Sequence, residues 1–251
     1  MTLPVRSRRL PAWLAVLVLA CACAGCFNPF DPRVSQLRAV SSPAPAPTSP
    51  ANVVKLFEWC WQNKSIDQYS EIFTDDYRFQ FAQGDSAGNI YRDRPITRED
   101  ELISARNLFV GGTDRAPASS ITLHFDNTLI ALGDTRPGKN PKWHKSIRTH
   151  VDLNVVIPHD DGSTETNQVT GFALFFLVRG DSAAIPKELR DRGFTPDSTR
   201  WWIERWEDET LPSGGGSPAM AARRASLRPA GRTDLMPFPT SWGALKSRFG
   251  L

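Results

Sequence analysis

His150 and Asp152 are the residues of this chain whose types and spacing come nearest to chemistry. They stand two apart in RTHVDLNVV, residues 148–156. In an extended strand alternate side chains share a face. His150 and Asp152 then lie beside Arg148 and Asn154, while Ile147, Thr149, Val151, Leu153 and Val155 point the other way. An imidazole and a carboxylate inside one pocket could work as a general acid and base. The same alternation is also the ordinary signature of a sheet with one face on a core and the other toward water. Both readings stand on the residues alone.

Aromatic residues form the second group. Tyr77, Trp201, Trp202 and Trp206 offer large apolar area with a polar handle, which suits a ligand-binding site. Core packing would use them equally well. A strict two-residue period puts Trp202 and Trp206 on one face with Glu204, so that this face is expected at a pocket mouth or interface.

Other motifs argue against familiar chemistries. Residues 133–140, GDTRPGKN, nearly match the phosphate-binding G-x-x-x-x-G-K-[ST]. Asn140 replaces the hydroxyl residue, and Pro141, Lys142 and Trp143 open a strand where a helix is required. A hairpin loop is the expected structure. His124, His144, His150 and His159 show no metal-ligand spacing, and Cys60 on a helix face reads as a small core residue. There is no G-x-S-x-G elbow and no dinucleotide fingerprint. No metal and no cofactor are expected.

These residues must be carried by regular elements. Ser49 and Pro50 make a helix start, and Val53, Leu56, Phe57, Cys60 and Trp61 follow at helical spacing. A second short helix is expected from Ser65 or Asp67 through Tyr69, Ile72 and Phe73. Tyr77, Phe79 and Phe81 alternate with Arg78 and Gln80 as in a half-buried strand. Thr97 and Asp100 resemble a capping box for a third helix carrying Leu102, Ile103, Ala105 and Phe109. Beyond Pro117 the period becomes two. Strands are expected over 121–132, 143–157 and 166–179, with a turn at 159–163, and a last strand over 201–209. Residues 182–198 read as a polar loop with one helical turn near 186–190. Residues 240–249, TSWGALKSRF, could form a short amphipathic helix. Helices followed by long antiparallel strands give an α+β domain, with helices on one face of a curved sheet.

Ahead of this body, the first 26 residues have an export pattern. Arg6, Arg8 and Arg9 precede a short apolar run at 13–19, too short to span a membrane. Ala24-Gly25-Cys26 resembles the lipobox of bacterial lipoproteins, whose cysteine is acylated after cleavage. Cys23 departs from the usual Leu, and 18–21, ending at Cys21, is a competing match. The resemblance implies a signal peptide over 1–25, palmitate-type lipid on Cys26, and a membrane anchor. Phe27 in place of an Asp implies the outer membrane, where the host has one.

Loss of residues 1–25 removes three arginines and no acid, which leaves 27 basic and 27 acidic residues. The basic balance thus belongs to the signal, and nucleic acid is not an expected partner. After cleavage and acylation at Cys26, Cys60 would remain as the one side-chain thiol, so no internal disulfide could form. Residues 26–50 form a Pro/Ala/Ser-rich tether, extended by its prolines. Residues 212–251 form a Gly/Ser/Arg-rich tail with six basic residues and one acidic, Asp234. That tail could touch an anionic envelope polymer or fold back on the body, because Trp242, Leu245 and Phe249 need burial.

Over residues 51–211 the order of elements resembles the NTF2-like, or SnoaL-like, superfamily. The break NKSID at 63–67, then FTDDYRF at 73–79 and RWWIERWED at 200–208, are similar to its opening and to its last strand. The resemblance implies a cone, with helices closing a bent sheet around a pocket. It does not imply one activity, because members include isomerases, dehydratases and binding domains. The leading expectation is a lipid-anchored, non-catalytic binding or interaction module of the cell envelope. Its partners would be the membrane and a hydrophobic small molecule or envelope protein, with Tyr77, Trp202 and Trp206 as ligand contacts. One alternative is an isomerase- or dehydratase-type enzyme using His150 and Asp152. The other is a structural homodimer, since sheets in this superfamily often pair.

Overall fold

The computed structural model describes residues 42–91, 94–113, 115–180, 185–197, 199–210 and 237–250. Cys26 with its signal, and most of the tether and tail, lie outside these residues. The described residues from Pro43 onward belong to one compact unit.

Helix α1 (Pro50–Asn63) starts where its cap predicts. Ser49 Oγ accepts the Asn52 amide at 3.1 Å, and Pro50 takes the first turn, where no amide is needed. Its buried stripe is Val53, Val54, Leu56, Phe57, Cys60 and Trp61. Lys64 ends it at a positive φ of 51°. Helix α2 (Ile66–Ser70) is shorter than expected, because Phe73 already belongs to β1 (Phe73–Gln80). Strand β2 (Ile96–Thr97) pairs with β1 and runs straight into α3 (Arg98–Phe109). The capping box forms: the Thr97 amide donates to Asp100 Oδ2 at 3.0 Å, and the Asp100 amide to Thr97 Oγ1 at 3.4 Å.

The expected strand over 121–132 divides into β3 (Ser120–Phe125) and β4 (Leu132–Gly133). Asp126 marks the break. Its carboxylate accepts the His150 amide at 2.8 Å, replacing a ladder bond with a side-chain bond. Strands β5 (His144–Pro158) and β6 (Thr164–Arg179) then pair along their whole length. Helix α4 (Lys187–Asp191) is the expected helical turn in the loop, and β7 (Trp201–Thr210) closes the run. The described chain resumes with β8 (Phe238–Thr240), parallel to β6, and α5 (Trp242–Arg248).

The sheet order is β2-β1-β7-β6-β5-β3, with β4 beside β5 and β8 beside β6. All pairings are antiparallel except β1 with β7 and β6 with β8. The sheet curves around the helices, the α+β cone expected of the sequence. Gly171 permits the close approach of β6 and β7: a Cβ there would lie 2.9 Å from Thr210 Cα, and its φ is 142°.

The cone is filled with aromatic side chains. Trp242 of α5 sits among them, its ring centroid 4.5 Å from that of Trp206, 5.1 Å from Trp61 and 5.8 Å from Phe57. Trp242, Leu245 and Phe249 are all buried, so the folded unit extends past 211 to include the C-terminal helix. Trp242→Ala is expected to cost about 3–5 kcal/mol, read from the urea midpoint of the full chain. A loss under about 1 kcal/mol would show that α5 contributes little to the core.

Candidate functional site

The polar centre of the cone is Glu101, supplied by α3. Its helix stripe is Glu101, Ser104, Ala105, Leu108 and Phe109, so this carboxylate points where an apolar side chain would be expected. Leu102 is only half-buried and Ile103 is exposed, against the expected stripe. Glu101 Oε1 accepts the Tyr69 hydroxyl at 2.7 Å, and Oε2 accepts the Tyr77 hydroxyl at 3.2 Å. Lys246 of α5 completes the group by an ion pair to Oε1. Neither charged side chain exceeds 2 % exposure.

Burial lowers the pKa of the Lys246 ammonium, and the Glu101 charge opposes that fall. Burial, reinforced by Glu101, raises both tyrosines well above their ordinary range. They therefore remain protonated donors. The ammonium also rests on aromatic faces, 4.4 Å from the Trp206 centroid and 5.1 Å from that of Phe79.

A second buried carboxylate holds the start of α5. Asp208 Oδ1 accepts the Thr210 amide at 2.9 Å and its hydroxyl at 2.6 Å, and Oδ2 accepts the Gly243 amide at 2.9 Å. The Thr210 hydroxyl oxygen in turn accepts the Trp242 amide at 2.8 Å. Ser241 Oγ donates to Asp85 Oδ2 at 2.5 Å and accepts the Ala244 amide at 2.9 Å as the helix cap. Burial pushes Asp208 up to about 6, despite the hydrogen bonds from Thr210 and Gly243 that favour its charge. Asp85 adds to the rise, and Lys246 also faces this group.

The residues singled out by sequence divide between two faces. Tyr77 and Trp206 lie in the cone, fully buried. Trp202 does not join them, correcting the expected shared face. Phe176 pairs with Arg205 and Leu177 with Ile203, so Glu204 is an extra residue in β7. That bulge reverses the alternation. Trp202 packs outside against Val178, Ile185 and Leu189, with the Arg200 guanidinium 4.5 Å from its ring centroid. His150 is exposed on the outer sheet face, its ring against Phe172 at 5.5 Å. Half-buried Asp152 accepts from Asn154 at 3.3 Å. This placement corrects the reading that put His150 and Asp152 inside the cone: even-numbered residues of β5 face outward because Ile147, Val151, Leu153 and Val155 fill the core.

The near-match to a phosphate loop is the expected hairpin. Its Arg136 and Lys139 pair with Glu204, and β4 and β5 flank it. Among the described residues no cluster of His, Cys, Asp and Glu could hold a metal ion. A separate cleft of about 590 Å³ lies between β1, β2 and the turn at Ser86–Tyr91. Three arginines line it, and each has partners: Arg94 pairs with Asp100, Arg205 with Glu207, and Arg78 donates to the Tyr77 carbonyl at 2.7 Å.

No family profile and no curated protein matches this sequence. Solved structures similar to it include an NTF2-like superfamily protein from Salmonella enterica serovar Typhimurium, with 13% identity and a TM-score of 0.38. That similarity covers 66% of this chain and 90% of the other. An NTF2-like protein from Rhodospirillum rubrum has 11% identity and a TM-score of 0.37, with coverage of 63% and 95%. A type 2 hexachlorocyclohexane dehydrochlorinase has 9% identity and a TM-score of 0.39, with coverage of 72% and 90%. The α+β fold stands on the sheet order and helix placement above.

Glu101, Lys246 and Asp208 are not legible as site residues in the sequence, because charged side chains ordinarily lie at the surface. A signal existed for Lys246: Trp242, Leu245, Lys246 and Phe249 are spaced to share one helical stripe. Breaking the buried pair by Lys246→Met or Glu101→Leu alone is expected to cost about 3–5 kcal/mol in urea unfolding, whereas the double replacement should recover most of that loss. Additive losses would show that the two charges do not act as a pair.

Asp208 also predicts an unusual pH response. Its folded pKa of about 6 lies above the ordinary 3.8, so the folded state binds the proton more readily. Its contribution therefore favours folding more as pH falls from about 6 towards 4. Glu165 acts oppositely and lower: the hydrogen bond from Arg248 depresses its pKa, so its stabilisation is lost only as pH falls below about 4.5. Between pH 7 and 4.5 the melting temperature of the wild type should rise relative to Asp208→Asn; parallel curves would refute the assignment.

Proposed function

We propose that this is a lipid-anchored protein of the bacterial cell envelope, carrying an NTF2-like domain that binds or docks and does not catalyse. The observation that carries the reading is the occupation of the cone by α5, with His150 and Asp152 outside it. A histidine on the outer face shares no enclosed, water-excluding site with a substrate. The anchor rests on the sequence pattern ending at Cys26, and the Pro/Ala/Ser-rich stretch would hold the domain off the membrane. The outer membrane is the proposed address where the host has one.

Growth of the host with an alkyne-bearing palmitate tests the anchor. Label should appear on the wild type and on Cys21→Ala, and vanish from Cys26→Ala, which should also leave the membrane fraction. Label persisting on Cys26→Ala would overturn the assignment.

A further inference from the structure

With the cone filled, binding has to use a surface outside it. The cleft between β1, β2 and the turn at Ser86–Tyr91 offers about 590 Å³, within the range that holds small organic ligands. Its walls carry an unusual arrangement of charge. Arg78 of β1 and Arg205 of β7 are register partners, so two guanidiniums share one face on adjacent strands. Adjacent strands lie about 4.8 Å apart, and like charges set opposite each other repel. Both arginines stand on the outer face, since their chain neighbours Tyr77, Phe79 and Trp206 fill the cone. Arg94, just before β2, adds a third cation to the lining.

Carboxylates do not use up these cations. Arg94 meets Asp100 through Nη2, and its side chain is 64% exposed. Arg205 meets Glu207 through Nε and Gln80 through Nη2. Arg78 donates from Nη1 to the carbonyls of Asp76 and Tyr77, at 3.2 and 2.7 Å, and makes no ion pair among the described residues. A guanidinium has five N–H donors, so each keeps some for an anion. Asp85, the acid in the lining, is already engaged: Oδ1 accepts the Ala87 amide at 2.9 Å and Oδ2 the Ser241 hydroxyl. The opposite wall is apolar. Phe81 stacks on Tyr91 with ring centroids 5.2 Å apart and planes 6° from parallel, beside Pro95 and Ile96. Gly88 lets the turn close on Phe81, because a Cβ there would lie 2.7 Å from the Phe81 Cβ.

We propose that this cleft binds an aromatic carboxylate. Arg78 and Arg205 hold the carboxylate, Arg94 reaches it from the rim, and the Phe81–Tyr91 pair packs against the ring. The bound anion relieves the repulsion between Arg78 and Arg205. The inference deepens the binding reading above and rests on it.

2-Naphthoate is the probe, and 2-naphthamide, which keeps the rings and lacks the charge, is the control. By calorimetry on the full chain, naphthoate should bind with a dissociation constant below about 1 mM. Naphthamide should bind at least about tenfold more weakly, and Arg78→Gln and Arg205→Gln should each lose at least about tenfold in affinity for naphthoate. Equal binding of naphthamide and naphthoate, or unchanged affinity in both variants, would overturn the proposal. So would complete displacement of naphthoate by an equal concentration of inorganic phosphate, which would show an anion site indifferent to the ring. Should Arg78→Gln fail to fold, Arg205→Gln and Arg94→Gln decide. Absence of naphthoate binding removes the cleft assignment and leaves the anchored domain standing, because lipid labelling tests that anchor without any ligand.

Discussion

A carboxylate and an ammonium removed from water together set the terms for the rest of this domain. Glu101 cannot be buried on α3 without donors, and Tyr69, Tyr77 and Lys246 supply them. Lys246 reaches it only when α5 is docked, and α5 docks only when Trp242 enters the aromatic core and Asp208 receives the Gly243 amide. Helix α3, the end of β7 and the end of the chain are thereby tied into one polar network inside an apolar shell. Such a network specifies one packing more sharply than apolar contacts do, since a half-made version leaves a charge unpaired.

The outer face of the sheet follows a different rule. Its exposed or near-surface aromatic rings lie beneath guanidinium groups: Phe172 under Arg148 at 3.7 Å, Phe176 under Arg136 at 3.9 Å, and Trp143 under Arg179 at 4.3 Å. Arg148 also pairs with Glu209, and Arg136 with Asp134 and Glu204. Cations over rings cover apolar area without burying a charge. His150 belongs to this face, which accounts for its chemistry-like spacing in structural terms.

Between the two faces, one extra residue decides the outcome. Glu204 bulges from β7, so Trp202 turns outward and Trp206 inward, although they are four residues apart in a strand. The interior thus gains the indole that receives the Lys246 ammonium, and the outer face gains a tryptophan under Arg200. The bulge thus puts one indole beside the Glu101–Lys246 pair, whereas the His–Asp pair meets solvent because the apolar residues of β5 face the core.

Local signals determined much of the fold: the Ser49 and Thr97 caps, the stripe of α1, the alternation of β5 and β6, and the turn at 159–163 act over a few neighbours and can be read from them. The α+β class and the loop nature of 133–140 follow from the same short-range physics. The site did not follow, for two reasons. Alternation assigns a strand two faces but does not say which meets the core, and a single bulge resets it. Buried charge is also a property of pairs: Glu101 and Lys246 are 145 positions apart, and each alone reads as a surface residue. Only tertiary structure brought them together, because the cost of burying either is met only by the other.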